Sequence, residues 1–105
     1  MTDFPTKKYK TFKSFYPFYL SQHQNLVCRR LHFIGSSLII FMLVYILLSS
    51  AWILLWTLPL LGYGFAWLGH FFFEKNKPAT FTYPWYSLLG DWVMYKDILT
   101  GKVKI

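Results

Sequence analysis

Three histidines occur in this chain, His23, His32 and His70. Neutral imidazole is the commonest metal ligand, and open sites built from a few histidines, or from histidine and carboxylate, suit iron(II), which binds oxygen at the positions left free. Zinc accepts three histidines as well. Haem held between His32 and His70 is a formal option that nothing in the sequence supports. The spacing is not a short metal motif of the HExxH kind, and there is no GxSxG elbow, P-loop or GxGxxG. Three histidines are also too few for the histidine-box di-iron hydroxylases. Singly, each reads as an interfacial hydrogen-bonding group; as a set they point to a metal site only if the chain brings them together.

Two of them bracket the most distinctive stretch. Leu31 to Phe73 runs for 43 residues without Asp, Glu, Lys or Arg, and all fifteen formal charges lie outside it. A hydrocarbon core of about 30 Å takes roughly 20 apolar helical residues to cross, so this stretch is long enough for a hairpin of two spans. Ser49-Ser50 is its most polar interruption and divides it into Phe33–Leu48 and Ala51–Phe73, about 24 Å and 34 Å of helix. Pro59 is expected to kink the second span, and Gly62, Gly64 and Gly69 are spaced to let another helix approach closely. A hairpin returns to the side it left. His32 and His70 therefore fall at similar depth, with Glu74 on the helical face of His70.

His23 needs more. It follows Tyr19 by four residues and precedes His32 by nine, which on one continuous helix is about 900° and about 13 Å, half a turn out of phase. Only a bend near Asn25 lets the two share a site. The segment 7–30 is amphipathic, with Tyr9, Phe12, Tyr16 and Tyr19 at three- and four-residue steps and Lys7, Lys10 and Lys13 in other directions. Pro17 predicts a break and a second helix starting beside it, capped by Ser14. The aromatic face is expected in the headgroup region, and Met1 to Thr6 is expected to be loose. After the hairpin, Pro78 to Pro84 is expected to be extended. A helix over 85–100, with Trp85, Leu88, Leu89, Trp92 and Leu99 on one face, should end before Gly101 and lie on the membrane or over the mouth of the hairpin. Asp91 and Asp97 are expected on its surface. The fold class is all-α: an integral membrane hairpin over 31–73 flanked by amphipathic interfacial helices, one domain over 1–105.

Composition agrees. The 105 residues are 55% hydrophobic and 23% aromatic with a net charge of +7 gathered at the two ends, a pattern that indicates membrane lipid rather than nucleic acid as partner. Lys and Arg accumulate on the cytoplasmic side, so both termini are expected there. No cleavable signal peptide is expected. The membrane is a bacterial inner membrane or an endoplasmic reticulum. Cys28 is the single cysteine and reads as a small packing residue. Nothing bears on oligomeric state.

Four blocks carry a resemblance: Phe15 to Asn25 (FYPFYLSQHQN), Cys28 to Gly35 (CRRLHFIG), Gly62 to Phe81 (GYGFAWLGHFFFEKNKPATF) and Ser87 to Asp91 (SLLGD). Together they resemble the family of small membrane proteins typified by the fungal 2-hydroxy fatty acid dioxygenase of the endoplasmic reticulum, over most of the chain from Phe12 to Gly101. The resemblance implies iron(II)-dependent α-oxidation, in which a 2-hydroxy fatty acid reacts with molecular oxygen and loses its carboxyl carbon. The residues accommodate this: catalytic iron held by His23, His32 and His70 can be chelated by the substrate carboxylate and 2-hydroxyl while the acyl chain lies along the hairpin. On that reading Glu74 is a fourth ligand, a partner for His70, or neither. Arg29 and Arg30 either steer the carboxylate or contact phosphate headgroups.

Two other readings belong to different classes. One is a non-enzymatic membrane protein whose aromatic and basic faces organise lipid or a partner. The other is a zinc-dependent lipid hydrolase, indifferent to oxygen. Metal content and oxygen dependence separate the three.

Overall fold

A computed structural model describes residues 8–105, and among them the chain is all-helical. The expected loose N-terminus and Lys7 lie outside the described residues. Helix α1 (Phe12–Ser21) starts at Thr11, whose Oγ1 accepts from the Ser14 amide at 3.1 Å. It runs unbroken through Pro17, against the expected break, and Thr11 rather than Ser14 caps it. The proline deprives only a carbonyl in the first turn of its partner, while Phe15 and Tyr19, both within 1% of full burial, pin the helix on either side.

Beyond α1 the chain turns through Gln22 to Asn25, the bend that His23 required. Asn25 caps α2 (Leu26–Ser49), its Oδ1 accepting from Val27 and Cys28. This cap makes α2 longer than the expected span, 24 residues. The turn falls at Ser50, in the left-handed region at φ 58°. A 3₁₀ segment, Trp52–Trp56, then leads into α3 (Thr57–Gly69) and a π-helical turn, His70–Glu74. Pro59 thus sits inside the apolar helix Trp52–Glu74, just past the point where its 3₁₀ start gives way to α3.

The two long apolar helices pack as a hairpin-like pair. A Cβ at Gly35 would lie 3.0 Å from Phe65 Cβ, one at Gly62 would lie 3.0 Å from Ile39 Cδ1, and one at Gly69 would crowd Cys28. Gly64, expected at the same interface, faces open space. Leu26–Ser49 and Trp52–Glu74 have mean hydropathies of 2.3 and 1.4 and are each long and apolar enough to cross a membrane. Their outer faces are bare: Phe41 is 71% exposed, Leu48 83% and Trp56 77%.

Helix α4 (Pro84–Leu99) packs against α1 and α2. Its apolar face points outward, while Asp97, expected on the helix surface, is buried. Ser87, Gly90, Met94 and Asp97 are buried, whereas Trp85, Leu88, Leu89 and Leu99 are exposed. Polar and small residues turn inward and apolar ones outward, the reverse of a helix folded in water. The α1 aromatics are likewise not a free face, because Phe15, Tyr19, Tyr83, Met94 and Val103 form a buried cluster with Tyr9, Phe12, Tyr16 and Phe18 packed on it. Between α3 and α4, the expected extended segment holds a 3₁₀ turn, Ala79–Phe81.

Candidate metal centre

The three histidines reach one point from three elements. His23 stands in the α1–α2 turn, its ring stacked on Tyr19 at 4.0 Å between centroids. His32 lies two turns into α2, and His70 opens the π-helical turn after α3. All three are buried, and one nitrogen from each lies within 4.8 Å of the others. His23 Nε2 is 3.2 Å from His32 Nε2 and 2.9 Å from His70 Nε2.

The far side of each ring settles what those nitrogens carry. His23 Nδ1–H donates to the Tyr19 carbonyl at 2.6 Å, His32 Nδ1–H to the Cys28 carbonyl at 2.9 Å and His70 Nδ1–H to Asn76 Oδ1 at 2.7 Å. The orientation of the Asn76 amide follows from its Nδ2, which donates to the Gln22 carbonyl and to Gln22 Oε1, each at 3.2 Å. With every Nδ1 protonated, the neutral rings turn three Nε2 lone pairs toward one another. Burial, then the neighbouring imidazoles of His32 and His70, hold His23 well below its ordinary pKa, so its ring is neutral.

Converging lone pairs repel unless a cation lies among them. Two metal–nitrogen bonds of about 2.1 Å meeting at right or tetrahedral angles hold their nitrogens about 3.0 to 3.4 Å apart; the two separations from His23 bracket the lower end of that range, and the His32–His70 pair is wider, within 4.8 Å. An acceptor behind each ring is also the arrangement that fixes tautomer and aim around a metal. The donor set is compatible with a metal site.

Other candidates fall elsewhere. Glu74 is not part of the cluster; its carboxylate accepts from the Asn25 amide and ties the end of the π-helical turn to the start of α2. Arg29 Nε donates to the His23 carbonyl at 2.6 Å and its Nη1 to the Lys104 carbonyl at 3.1 Å, so this guanidinium braces the His23 turn. Arg30 is exposed.

Two cavities adjoin the cluster. A small one of about 20 Å³ is lined by the three histidines with Tyr19, Ser87 and Asp91, room for about one water-sized group. A larger one of about 280 Å³ shares His32 and Asp91 with it and continues between apolar residues, among them Ile39, Leu58, Pro59 and Trp92. Asp91, expected on a helix surface, instead accepts a hydrogen bond on Oδ1 from the Tyr19 hydroxyl. Burial pushes its carboxyl up to about 7, against the pull of that hydrogen bond. Burial, then the Asp91 charge, raises Tyr19 well above the ordinary phenol range, so the phenol keeps its proton. Sequence reasoning also passed over Ser87 and Asn76. The signal for the α4 pair was there, since Ser87 and Asp91 lie four residues apart and off the helix's apolar face.

No curated protein and no solved structure matches the chain. Residues 9–103, nearly its whole length, match the family described as 2-hydroxy-palmitic acid dioxygenase Mpo1-like. The fold, the buried histidine cluster and this match agree with the resemblance carried by the sequence blocks, and the chain belongs to the Mpo1-like family.

Proposed function

We propose that this protein is an iron(II)-dependent dioxygenase that shortens 2-hydroxy fatty acids by one carbon, with His23, His32 and His70 as its metal ligands. The observation that carries the reading is the set of three Nε2 lone pairs turned inward by three separate acceptors. Iron(II) bound there supplies the capacity to react with molecular oxygen. Tyr19, Cys28 and Asn76 hold the three Nδ1 protons and so keep each ring aimed. Arg29 and Glu74 hold the turn between α1 and α2 at the depth of His32. The apolar cavity receives the first part of the acyl chain and keeps water from it, so that the carboxyl end stays beside the histidines.

The same reading makes the chain one integral membrane domain over 1–105. The bare apolar faces of the hairpin meet lipid, and lysines and arginines on both flanks place the two termini in the cytoplasm with Ser50 on the opposite side. The membrane is a bacterial inner membrane or an endoplasmic reticulum. Arg30 meets lipid phosphate there.

Metal analysis of anaerobically purified protein, wild type beside His23→Ala, His32→Ala and His70→Ala, tests the assignment together with oxygen uptake on 2-hydroxypalmitate. Near-stoichiometric iron that falls in each variant, with uptake lost in parallel, is the expected result. Folded wild-type protein that takes up no metal after anaerobic iron(II) reconstitution would leave a lipid-organising protein as the better account. Bound zinc with oxygen-independent lipid hydrolysis would indicate the hydrolase.

A further inference from the structure

The inward face of α4 carries two polar groups that the metal site does not use. Ser87 is 4% exposed, and its Oγ has no hydrogen-bond partner among the described residues. Asp91, one helical turn on, gives Oδ1 to Tyr19, while Oδ2 has no partner among those residues. Both side chains line the small cavity at the histidines, and Asp91 also lines the apolar one. A spare donor and a spare acceptor therefore stand side by side where polar space gives way to apolar space.

A 2-hydroxy fatty acid has the complementary pattern. Its carboxylate only accepts, its 2-hydroxyl can donate, and its alkyl chain starts at the same carbon as the hydroxyl. We propose that α4 recognises the substrate head: Ser87 Oγ–H donates to the carboxylate, Asp91 Oδ2 accepts from the 2-hydroxyl, and the chain leaves through the apolar cavity. Asp91 is then the residue that distinguishes a 2-hydroxy acid from an unsubstituted one. An unsubstituted acid would set a methylene against that carboxylate oxygen and leave it without the hydroxyl donor. The proposal rests on the substrate class assigned above and names the residues that read it.

Binding separates this role from turnover. Full-length protein in lipid nanodiscs, loaded anaerobically with zinc so that nothing turns over, is titrated by displacement of a fluorescent fatty acid with palmitate, 2-hydroxypalmitate and 2-methoxypalmitate. Wild type is expected to prefer 2-hydroxypalmitate to palmitate by about 100-fold and to bind the methyl ether, which cannot donate, no better than palmitate. Asp91→Asn keeps an acceptor for Tyr19 and is expected to shrink the preference below about tenfold. Ser87→Ala is expected to weaken both acids by a similar factor and leave the preference intact. A methyl ether that binds as tightly as the hydroxy acid overturns the proposal without any variant, as does an unchanged preference in Asp91→Asn. If wild type still consumes oxygen with 2-hydroxypalmitate under either of those outcomes, the dioxygenase reading stands and only the α4 assignment fails. Protein that binds no metal and consumes no oxygen overturns both.

Discussion

A Cβ placed on Gly69 would lie 2.9 Å from Sγ of Cys28 and 3.1 Å from its Cα. Gly69 immediately precedes His70, and Cys28 supplies the carbonyl that holds His32 Nδ1. A close approach of α2 and α3 thus occurs where two of the three histidines are set. Gly69→Ala should force the helices apart there. Overpacking of this kind costs about 1–3 kcal/mol, and thermal unfolding should show that loss together with a fall in bound iron. An unchanged iron content would show that the site tolerates the displacement.

Asn76 tests the support behind the histidines. Its amide holds His70 Nδ1 and is itself held by Gln22. Asn76→Ala leaves His70 in place without an acceptor, and losses of about 10- to 100-fold in metal affinity are typical of such outer partners. Competition with a chelator of known affinity measures it. An affinity equal to wild type would remove Asn76 from the site.

Two glycines give opposite expectations for the same substitution. At Gly90 a Cβ would sit 2.9 Å from Cδ2 of Tyr19, the ring that stacks on His23, so Gly90→Ala should destabilise the protein and disturb the His23 side of the cluster. At Gly64 a Cβ meets nothing within 4 Å. Gly64→Ala should therefore be neutral or gain up to about 1 kcal/mol from backbone entropy. Thermal unfolding of the two variants in parallel settles the contrast, and equal destabilisation would contradict it.

Tyr16 and Asp97 join α1 to α4 through a hydrogen bond of 2.8 Å from the phenol to Oδ2. Burial alone would raise the Asp97 carboxyl, but the Tyr16 hydroxyl and then Lys96 outweigh it and hold it below its ordinary value. A carboxyl depressed in the folded state contributes stability that is fully present above its unfolded pKa and lost as pH falls through the folded one. Tyr16→Phe should raise the Asp97 pKa toward the ordinary carboxyl range in a carbon-13 carboxyl titration. It should also flatten the loss of stability on acidification below about pH 4. The same titration curve in both proteins would show that the contact does not bias Asp97.

Hydropathy, charge and histidine position alone indicated the hairpin, its turn at Ser49-Ser50, the return of His32 and His70 to one end of it, and the need for a bend near Asn25. Each of these is a local property, because bilayer thickness fixes span length and helical pitch fixes which residues share a face. The helix boundaries at Thr11 and Asn25 were less legible, since a single cap hydrogen bond selects among several polar residues. Tertiary packing decided the rest. It carried α1 straight through Pro17 because Phe15 and Tyr19 are held on both sides of it. It turned α4 with Ser87 and Asp91 toward the cavity at the histidines and left Trp85, Leu88 and Leu89 exposed, a choice set by the packing of α4 on α1 and α2. It also gave Glu74 and Arg29 to the backbone of the His23 turn. Spacing could place the three histidines near one another, but only the carbonyls and the amide behind them, brought from three separate elements, determine that their lone pairs meet.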